Sequence, residues 1–244
     1  MTPAPAVRHH LKDQAFAQLR ALLLSGEFEP GSLLSERQLA ARLGISKTPI
    51  RLALERLARD GFVEILAQRG IRVRELTLQE IIDHYELREA LETWIVRRVA
   101  ERITELQIEQ LRVLVGRQRE LHARVEAQHL PLDPDDASTY IKLDTEVHLL
   151  LARIAGNQEI VRVMGTLRER IARVVADIML RNRPLLISSI AEHERILDAL
   201  AHHDGERAAR EMTKHLVRGK RQFIEPEQAA GAETPSLDAS STAW

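Results

Sequence analysis

Residues 35–70 read SERQLAARLGISKTPIRLALERLARDGFVEILAQRG and contain the start and stop signals of two short helices. Ser35 is placed to cap the first helix, and Gln38 completes a capping box in which side chains bond the free amides of the first turn. Gly44 is placed to end that helix, and Ser46 to cap the next one. The stretch therefore predicts two helices joined by a tight turn.

The second of these helices has two chemically different sides. Its apolar side is formed by Ile50, Ala53, Leu54 and Leu57. The opposite side gathers hydroxyl, ammonium and guanidinium groups near the N-terminus, which is the end that a recognition helix points at base edges. These groups belong to Lys47, Thr48 and Arg51. The pattern predicts a helix-turn-helix that reads DNA, although ordinary helical bundles also contain two short helices joined by a glycine turn.

A predicted β-hairpin follows the two helices and favours the DNA-binding interpretation. Apolar residues in 62–65 and 71–73 flank the polar turn Ala67-Gln68-Arg69-Gly70, as the strands of a hairpin would. A basic hairpin tip suits the minor groove of DNA. The three segments together predict a winged helix-turn-helix.

Residues 8–75 resemble the GntR family of bacterial winged-helix repressors, through the run GEFEPGSLLSERQLAARLGISKTPIRLALERLARDGFV. The resemblance implies DNA contacts from the two helices and from the wing. The expected DNA-binding residues are Arg37, Ser46, Lys47, Thr48, Arg51, Arg69 and Gly70. One departure is Leu52, where the family commonly has Glu, and it puts in doubt how Arg51 is oriented.

The charge distribution is that of a basic N-terminal segment on an acidic body. Residues 1–75 carry 12 Lys and Arg against 8 Asp and Glu, whereas the rest of the chain carries 23 against 28. This polarity fits a module that meets phosphate at one end only. The basic surplus is modest, so we expect a homodimer that presents two such modules to a two-fold DNA site.

Composition excludes several classes of protein and site. The chain has 244 residues, of which 44% are hydrophobic, and it contains no cysteine, so any metal must be held by nitrogen and oxygen. No apolar run approaches the length of about 20 residues that a membrane span needs, and no signal-like stretch follows the N-terminus. A soluble, cytoplasmic protein is expected. Because aromatic residues are only 3%, the core must rest on aliphatic side chains, as in helical bundles.

The chain after the wing is predicted to be all-helical. Thr77 and Glu80 form a second capping-box pattern, and the Pro- and Asp-rich run HLPLDPDDAS predicts a loop. Six helices are expected, at about 77–102, 104–128, 138–155, 158–182, 188–203 and 205–223. The fold class is thus mainly α, with a winged helix-turn-helix of three helices and a β-hairpin, then an antiparallel six-helix bundle. The predicted domains are 1–75 and 76–224, with a disordered tail over 225–244.

Four polar residues interrupt the apolar stripes of the predicted bundle. They are Asp144, His148, His193 and His215. Burying them costs several kcal/mol unless each finds a partner, and one divalent cation would satisfy all four while leaving coordination positions open. Zinc is the first expectation, and nickel, manganese or iron would also suit these ligands. A single histidine on an apolar stripe is more often a hydrogen-bonded core residue than a metal ligand, and the Asp144–His148 pair is also explained as a salt bridge.

The bundle also resembles a known domain. The segments YELREALE, DTEVHLLLARIAGN and EHERILDALAHHDGERAAREMTKHL are similar to the ligand-binding domain of the FadR subfamily of GntR regulators. The six-helix count matches its VanR-type branch. The resemblance implies that Asp144, His148, His193 and His215 are metal ligands, and that Arg88 and Asn157 contact an effector. From the residues alone, Arg88 is equally explained by pairing with Glu92, and Asn157 by capping a helix.

These observations predict a homodimeric transcriptional repressor that is not an enzyme. Its partners would be double-stranded operator DNA and a small organic acid, whose binding beside the metal would alter DNA affinity. One alternative is a metal-dependent hydrolase, for which Glu146 and Glu194 are the nearest candidate bases in the sequence. Another is a regulator whose metal is purely structural. The sequence identifies neither the effector nor the operator.

Overall fold

Two separate hydrophobic clusters organise the chain in the computed structural model, which describes residues 5–24, 27–67, 69–127, 133–181 and 184–231. The first cluster draws its buried residues from Ala15 to Val73, and the second from Ile81 to Phe223. Aliphatic side chains dominate both clusters, as the low aromatic content requires. Within the described ranges, no helix is both long and apolar enough to cross a membrane.

The N-terminal cluster is enclosed by three helices and a small sheet. The elements are α1 (Pro5–Leu24), β1 (Leu33–Leu34), α2 (Glu36–Leu43), α3 (Lys47–Arg59), β2 (Val63–Leu66) and β3 (Gly70–Val73). The predicted hairpin is β2 and β3, paired antiparallel with Ile65 opposite Ile71. Strand β1 pairs with the free side of β3 and completes a sheet in the order β1-β3-β2. Two residues are too few to show alternation, so the sequence pattern did not reveal β1.

The helix-turn-helix forms as the sequence predicts, except at its caps. Gly44 ends α2 in the left-handed conformation with φ 63°, and Ile45 is buried in the turn. Ser35 and Ser46 occupy the N-cap positions of α2 and α3, but neither side chain makes a capping hydrogen bond. The predicted capping box of Ser35 and Gln38 is therefore wrong. Gln38 is exposed, where water competes for its amide.

Six helices make up the described part of the C-terminal region, in agreement with the prediction. They are α4 (Leu78–Ala100), α5 (Glu105–Ala127), α6 (Pro134–Ala155), α7 (Gln158–Arg181), α8 (Pro184–Ala201) and α9 (Gly205–Gly231). The capping box of Thr77 and Glu80 is formed at the start of α4. Helix α9 continues past Phe223 to Gly231, so residues 225–231 are helical and not a disordered tail. Residues 232–244 lie outside the described part of the chain.

Helix α4 is central in the bundle because it contacts α6, α7, α8 and α9. Its packing against α9 is especially close at Gly219, where an added Cβ would lie 2.9 Å from the hydroxyl oxygen of Tyr85. The buried face of α4 also carries Arg88 and Glu92, each only 2% exposed. A central helix with buried charges needs partners for them on its neighbours.

Candidate metal centre and nucleic-acid interface

The bundle brings the four predicted metal ligands together. Helix α6 supplies Asp144 and His148, α8 supplies His193 and α9 supplies His215, and all four are buried. One potential ligand atom from each residue lies within 4.8 Å of those of the other three. Ligand atoms 2.1 Å from a metal are separated by about 3.4 Å in a tetrahedron and by about 4.2 Å across an octahedron. The cluster thus has nearly the dimensions of a metal site.

Each histidine ring is oriented by an oxygen from another residue. His148 Nδ1 bonds a carboxylate oxygen of Glu92 on α4. His193 Nδ1 lies 3.1 Å from Gln118 Oε1, on α5. His215 Nδ1 lies 2.9 Å from a Glu192 oxygen, on α8. The acceptor oxygens therefore belong to Glu92, Gln118 and Glu192.

These oxygens decide the tautomer of the rings. A carboxylate or amide oxygen only accepts, so Nδ1 donates and Nε2 of a neutral ring carries the lone pair. The Nε2 atoms of His148 and His193 are buried without a hydrogen-bond partner. They lie 4.0 Å and 3.5 Å, respectively, from Asp144 Oδ1. The Nε2 lone pairs of these two rings therefore lie close to a carboxylate in a buried space. Metal sites have the same arrangement, because hydrogen bonds from surrounding residues fix the orientation of the ligands.

The protonation states also suit metal binding. Burial lowers the pKa of His148 to about 4, although Glu92 opposes the shift. Burial, with the neighbouring His215, holds the pKa of His193 well below its usual value. Burial would raise the pKa of Asp144, but Arg168 and then the histidines outweigh it and hold that pKa well below the usual range. Neutral imidazoles and an ionised carboxylate are the forms that coordinate metals.

Three buried or half-buried arginines pair with the carboxylates of this cluster. Arg88 Nε donates to Glu92 Oε1 over 2.7 Å. Arg168 Nη2 donates to Asp144, and Arg218 donates from Nε and Nη2 to the two oxygens of Glu192 over 2.6 and 2.7 Å. The predicted Arg88–Glu92 pair is thus present. Glu92 and Glu192 each accept from one arginine and one histidine, which joins the arginines to the histidine cluster.

A cavity adjoins the cluster and is bordered by the arginines. Its charged and polar lining consists of Arg88, Asp144, Arg168, Ser189, His215, Arg218 and Gln222. The other walls are largely apolar and include Ile141, Ile171, Val175 and Phe223. Arg88 Nη2 and Arg168 Nε are buried without a hydrogen-bond partner. Arg88 therefore has both of the predicted roles available, an ion pair through Nε and a free donor through Nη2.

Sequence reasoning missed Arg168 and Arg218, and it misplaced Asn157. Arg168 is 4% exposed between the buried residues Met164 and Ile171, and this interruption of an apolar stripe was a usable signal. Asn157 is exposed and caps α7, because its Oδ1 accepts from the amides of residues 159 and 160 over 3.0 and 3.2 Å. It is not among the residues that line the cavity. Its assignment to effector binding is corrected to the capping role.

The predicted DNA-binding residues are all exposed. Arg37 is in α2, Ser46 occupies the N-cap position of α3, and Lys47, Thr48 and Arg51 lie in the first two turns of α3. Arg69 lies in the wing turn and Gly70 starts the return strand, and both border a groove shared with Ser35 and Glu36. Gly70 has φ +98°, and a Cβ there would lie 3.1 Å from the Leu34 carbonyl oxygen, so the wing requires glycine. Gln68 of the wing turn lies outside the described residues.

Comparisons with known proteins identify both parts of the chain. Residues 11–73 match the family described as bacterial regulatory proteins, gntR family, and residues 83–218 match the FCD domain. The chain belongs to the gntR family. It is 31% identical over 204 residues to the Nta operon transcriptional regulator of Aminobacter aminovorans, covering 84% of this chain and 90% of that protein. It is 28% identical over 207 residues to the HTH-type transcriptional repressor RspR of Escherichia coli K12, covering 84% and 86%.

A solved structure shows the same fold as this gntR-family member. E. coli McbR/YncC matches with a TM-score of 0.74 at 20% identity, over 89% of this chain and 98% of that chain. The winged helix-turn-helix followed by a helical bundle is thereby confirmed, as is the predicted resemblance to the GntR family. The protein is a transcriptional regulator, and its family membership implies binding to operator DNA.

Proposed function

We propose that this regulator is a homodimeric repressor that holds a divalent metal ion and releases its operator when a small carboxylate binds beside the metal. Asp144, His148, His193 and His215 are the metal ligands in this proposal. The acid would take the open coordination positions of the ion and bond Arg88 and Arg168. Zinc is the first candidate, and nickel, manganese and iron are the others.

The observation that carries the metal proposal is the orientation of the three imidazoles. Each Nδ1 bonds an oxygen, and the Nε2 atoms of His148 and His193 are left buried and unpaired. A buried polar atom without a partner costs about 1–3 kcal/mol. A cation bound to the lone pairs would remove that cost. A set of ordinary core histidines would instead have both ring nitrogens satisfied.

The charge of the site supports an anionic effector. The three arginine–carboxylate pairs cancel in charge, and burial keeps His148 and His193 neutral. A divalent ion would therefore leave the site with an uncompensated positive charge of about two. Arg88 and Arg168 each keep one buried donor unused. The apolar walls of the cavity suit the carbon skeleton of a small mono- or dicarboxylate, an aromatic acid or a sugar acid.

The hydrolase alternative depends on Glu146 or Glu194 as its general base. Glu146 is exposed on α6, and Glu194 is ion-paired with Arg119 of α5. Neither residue lines the cavity beside the metal ligands. The alternative of a purely structural metal does not account for that cavity or for the two unused arginine donors.

Metal analysis tests the proposal most directly. We expect one zinc, nickel, manganese or iron ion per purified or reconstituted wild-type chain, and none in His148→Ala. His202→Ala is the matched control, because His202 is exposed near the end of α8 and bonds its own helix backbone. Native mass spectrometry with a panel of small acids should then show one acid per metal-loaded chain. Wild-type protein that takes up none of the four metals would overturn the metal proposal.

A further inference from the structure

Three consecutive residues of α7 contact both the candidate metal site and the DNA-binding head, which we define as residues 5–73. Arg168 points into the bundle and bonds the metal-ligand candidate Asp144. Glu169 is ion-paired with Arg20 of α1. Arg170 Nε donates to the backbone carbonyl of Asp60 over 2.7 Å. One turn of helix therefore connects the cavity to the head.

The contact made by Arg170 falls at a special point of the head. Asp60 is the C-cap of α3, the recognition helix of the family fold. Carbonyls at a helix C-terminus lack partners within the helix and carry partial negative charge, so a guanidinium is favourable there. Gly61 follows with φ +80°, and a Cβ at Gly61 would lie 3.1 Å from the guanidinium of Arg170. The absent side chain gives Arg170 its room.

We propose that Arg170 docks the C-terminal end of the recognition helix onto the bundle, and that residues 168–170 transmit occupancy of the metal and acid site to the head. The proposed docking is supported by the contacts of Arg170 alone. The proposed transmission also rests on the metal and effector function proposed above. Residues 168 and 170 are about 200° apart around α7, so they face opposite sides of one rigid element.

The docking orients the head without covering its reading surface. Lys47, Thr48 and Arg51 lie at the N-terminal end of α3 and are exposed, whereas Asp60 ends the helix. The 13-residue helix is about 20 Å long, so the contact is remote from the bases. In a dimer, half-sites are about 34 Å apart, and a small change in docking alters the distance between the two recognition helices.

The physical link between ligand and head is the shared carboxylate of Asp144. Asp144 accepts a hydrogen bond from Arg168, and a bound metal ion would draw the same carboxylate towards itself. An acid that accepts a hydrogen bond from the unpaired Arg168 Nε would also change the position of that side chain. Because Arg168 and Arg170 belong to the same helical turn, a shift of this turn changes the contact with Asp60.

Hydrogen exchange of Arg170→Ala tests the docking in the metal-free protein. The amides of Asp60, Gly61 and Phe62 bond the carbonyls of the last turn of α3. We expect these amides to exchange about tenfold faster in the variant, because the turn loses a charged donor. Arg162→Ala is the control, since Arg162 is exposed on α7 and pairs with Glu159 of the same helix. Unchanged exchange in Arg170→Ala would overturn the docking.

Zinc alone, without any acid, tests the transmission. Adding Zn²⁺ to wild type should change exchange at residues 60–62 and the affinity for a duplex that wild type selects from a random library. Arg170→Ala should bind the same amount of Zn²⁺ and lose most of both responses, and Arg170→Lys should be intermediate. Full responses in Arg170→Ala would overturn the transmission. Failure of wild type to bind any of zinc, nickel, manganese and iron would remove the transmission along with the metal function, while the exchange result without metal still judges the docking.

Discussion

At the scale of single residues, the site depends on carboxylates that serve two partners at once. Glu92 accepts from Arg88 through one oxygen and from His148 through the other, and it is only 2% exposed. Burial would raise the pKa of Glu92, but Arg88 and the hydrogen bond from His148 outweigh it and hold that pKa below its usual value. A change at Arg88 therefore affects both the cavity and, through Glu92, the candidate metal ligand His148.

Arg88→Lys separates the two roles of this arginine. Lysine keeps the positive charge beside Glu92 but loses the planar fork whose Nη2 is free towards an acid. We expect the variant to retain metal and DNA binding and to need at least tenfold more acid for operator release, as measured by fluorescence anisotropy. Arg98→Lys, exposed on the same helix, should behave as wild type. An unchanged acid response in Arg88→Lys would make Arg88 a structural ion-pair residue only.

The sequence could predict the four candidate ligands because each interrupts an apolar stripe at helical spacing. It could not predict which oxygens orient them, since Gln118 and His193 are 75 residues apart and meet only through packing of α5 and α8. Asn157 was misplaced for a different, local reason. Its side chain satisfies nearby amides of its own turn, and a local cap and a pocket residue look alike in one sequence.

At the scale of elements, the close approach of α4 and α9 shapes the cavity. Gly219 lines the cavity, and Tyr85 occupies the space that a side chain at 219 would need. Gly219 lies four residues after His215 on the same face of α9, but one sequence does not show that a neighbouring side chain requires glycine there. Likewise, β1 is defined only by its pairing with β3, and α9 extends beyond the last periodic apolar residue.

Gly219→Ala should lower the free energy of unfolding and the affinity for the acid, although alanine has the better helix propensity. The added methyl group forces Tyr85 to shift, and such overpacking costs about 1–3 kcal/mol, against a gain of about 1 kcal/mol in propensity. Gly116→Ala on α5 is the control, because its Cβ would meet nothing within 4 Å, and we expect it to stabilise the protein by about 0.5–1 kcal/mol. Denaturant unfolding and acid titration measure both effects. If Gly219→Ala keeps wild-type stability and acid affinity, Tyr85 can move aside without destabilising the protein, and the prediction is wrong.

At the scale of the whole molecule, a basic head is joined to an acidic bundle, and the overall charge of −1 conceals this division. The head carries the exposed residues that are predicted to bind DNA, and the bundle carries a buried, charge-balanced candidate metal site. The head and the bundle have separate hydrophobic clusters. A substitution in one of them can therefore serve as a control for a substitution in the other.

Arg51→Ala and Lys47→Ala should have different effects on DNA binding. Arg51 is exposed in the second turn of α3, where loss of a guanidinium that bonds a guanine costs about 1–3 kcal/mol and relaxes base preference at one position of each half-site. Lys47 is a point charge at the same end of α3, so its loss should weaken binding to all duplexes similarly and reduce the salt dependence by about one phosphate contact. Anisotropy titrations of selected and scrambled duplexes at several salt concentrations distinguish these outcomes. Arg98→Ala in the bundle is the control, and an Arg51→Ala protein with wild-type affinity and base preference would remove Arg51 from the interface.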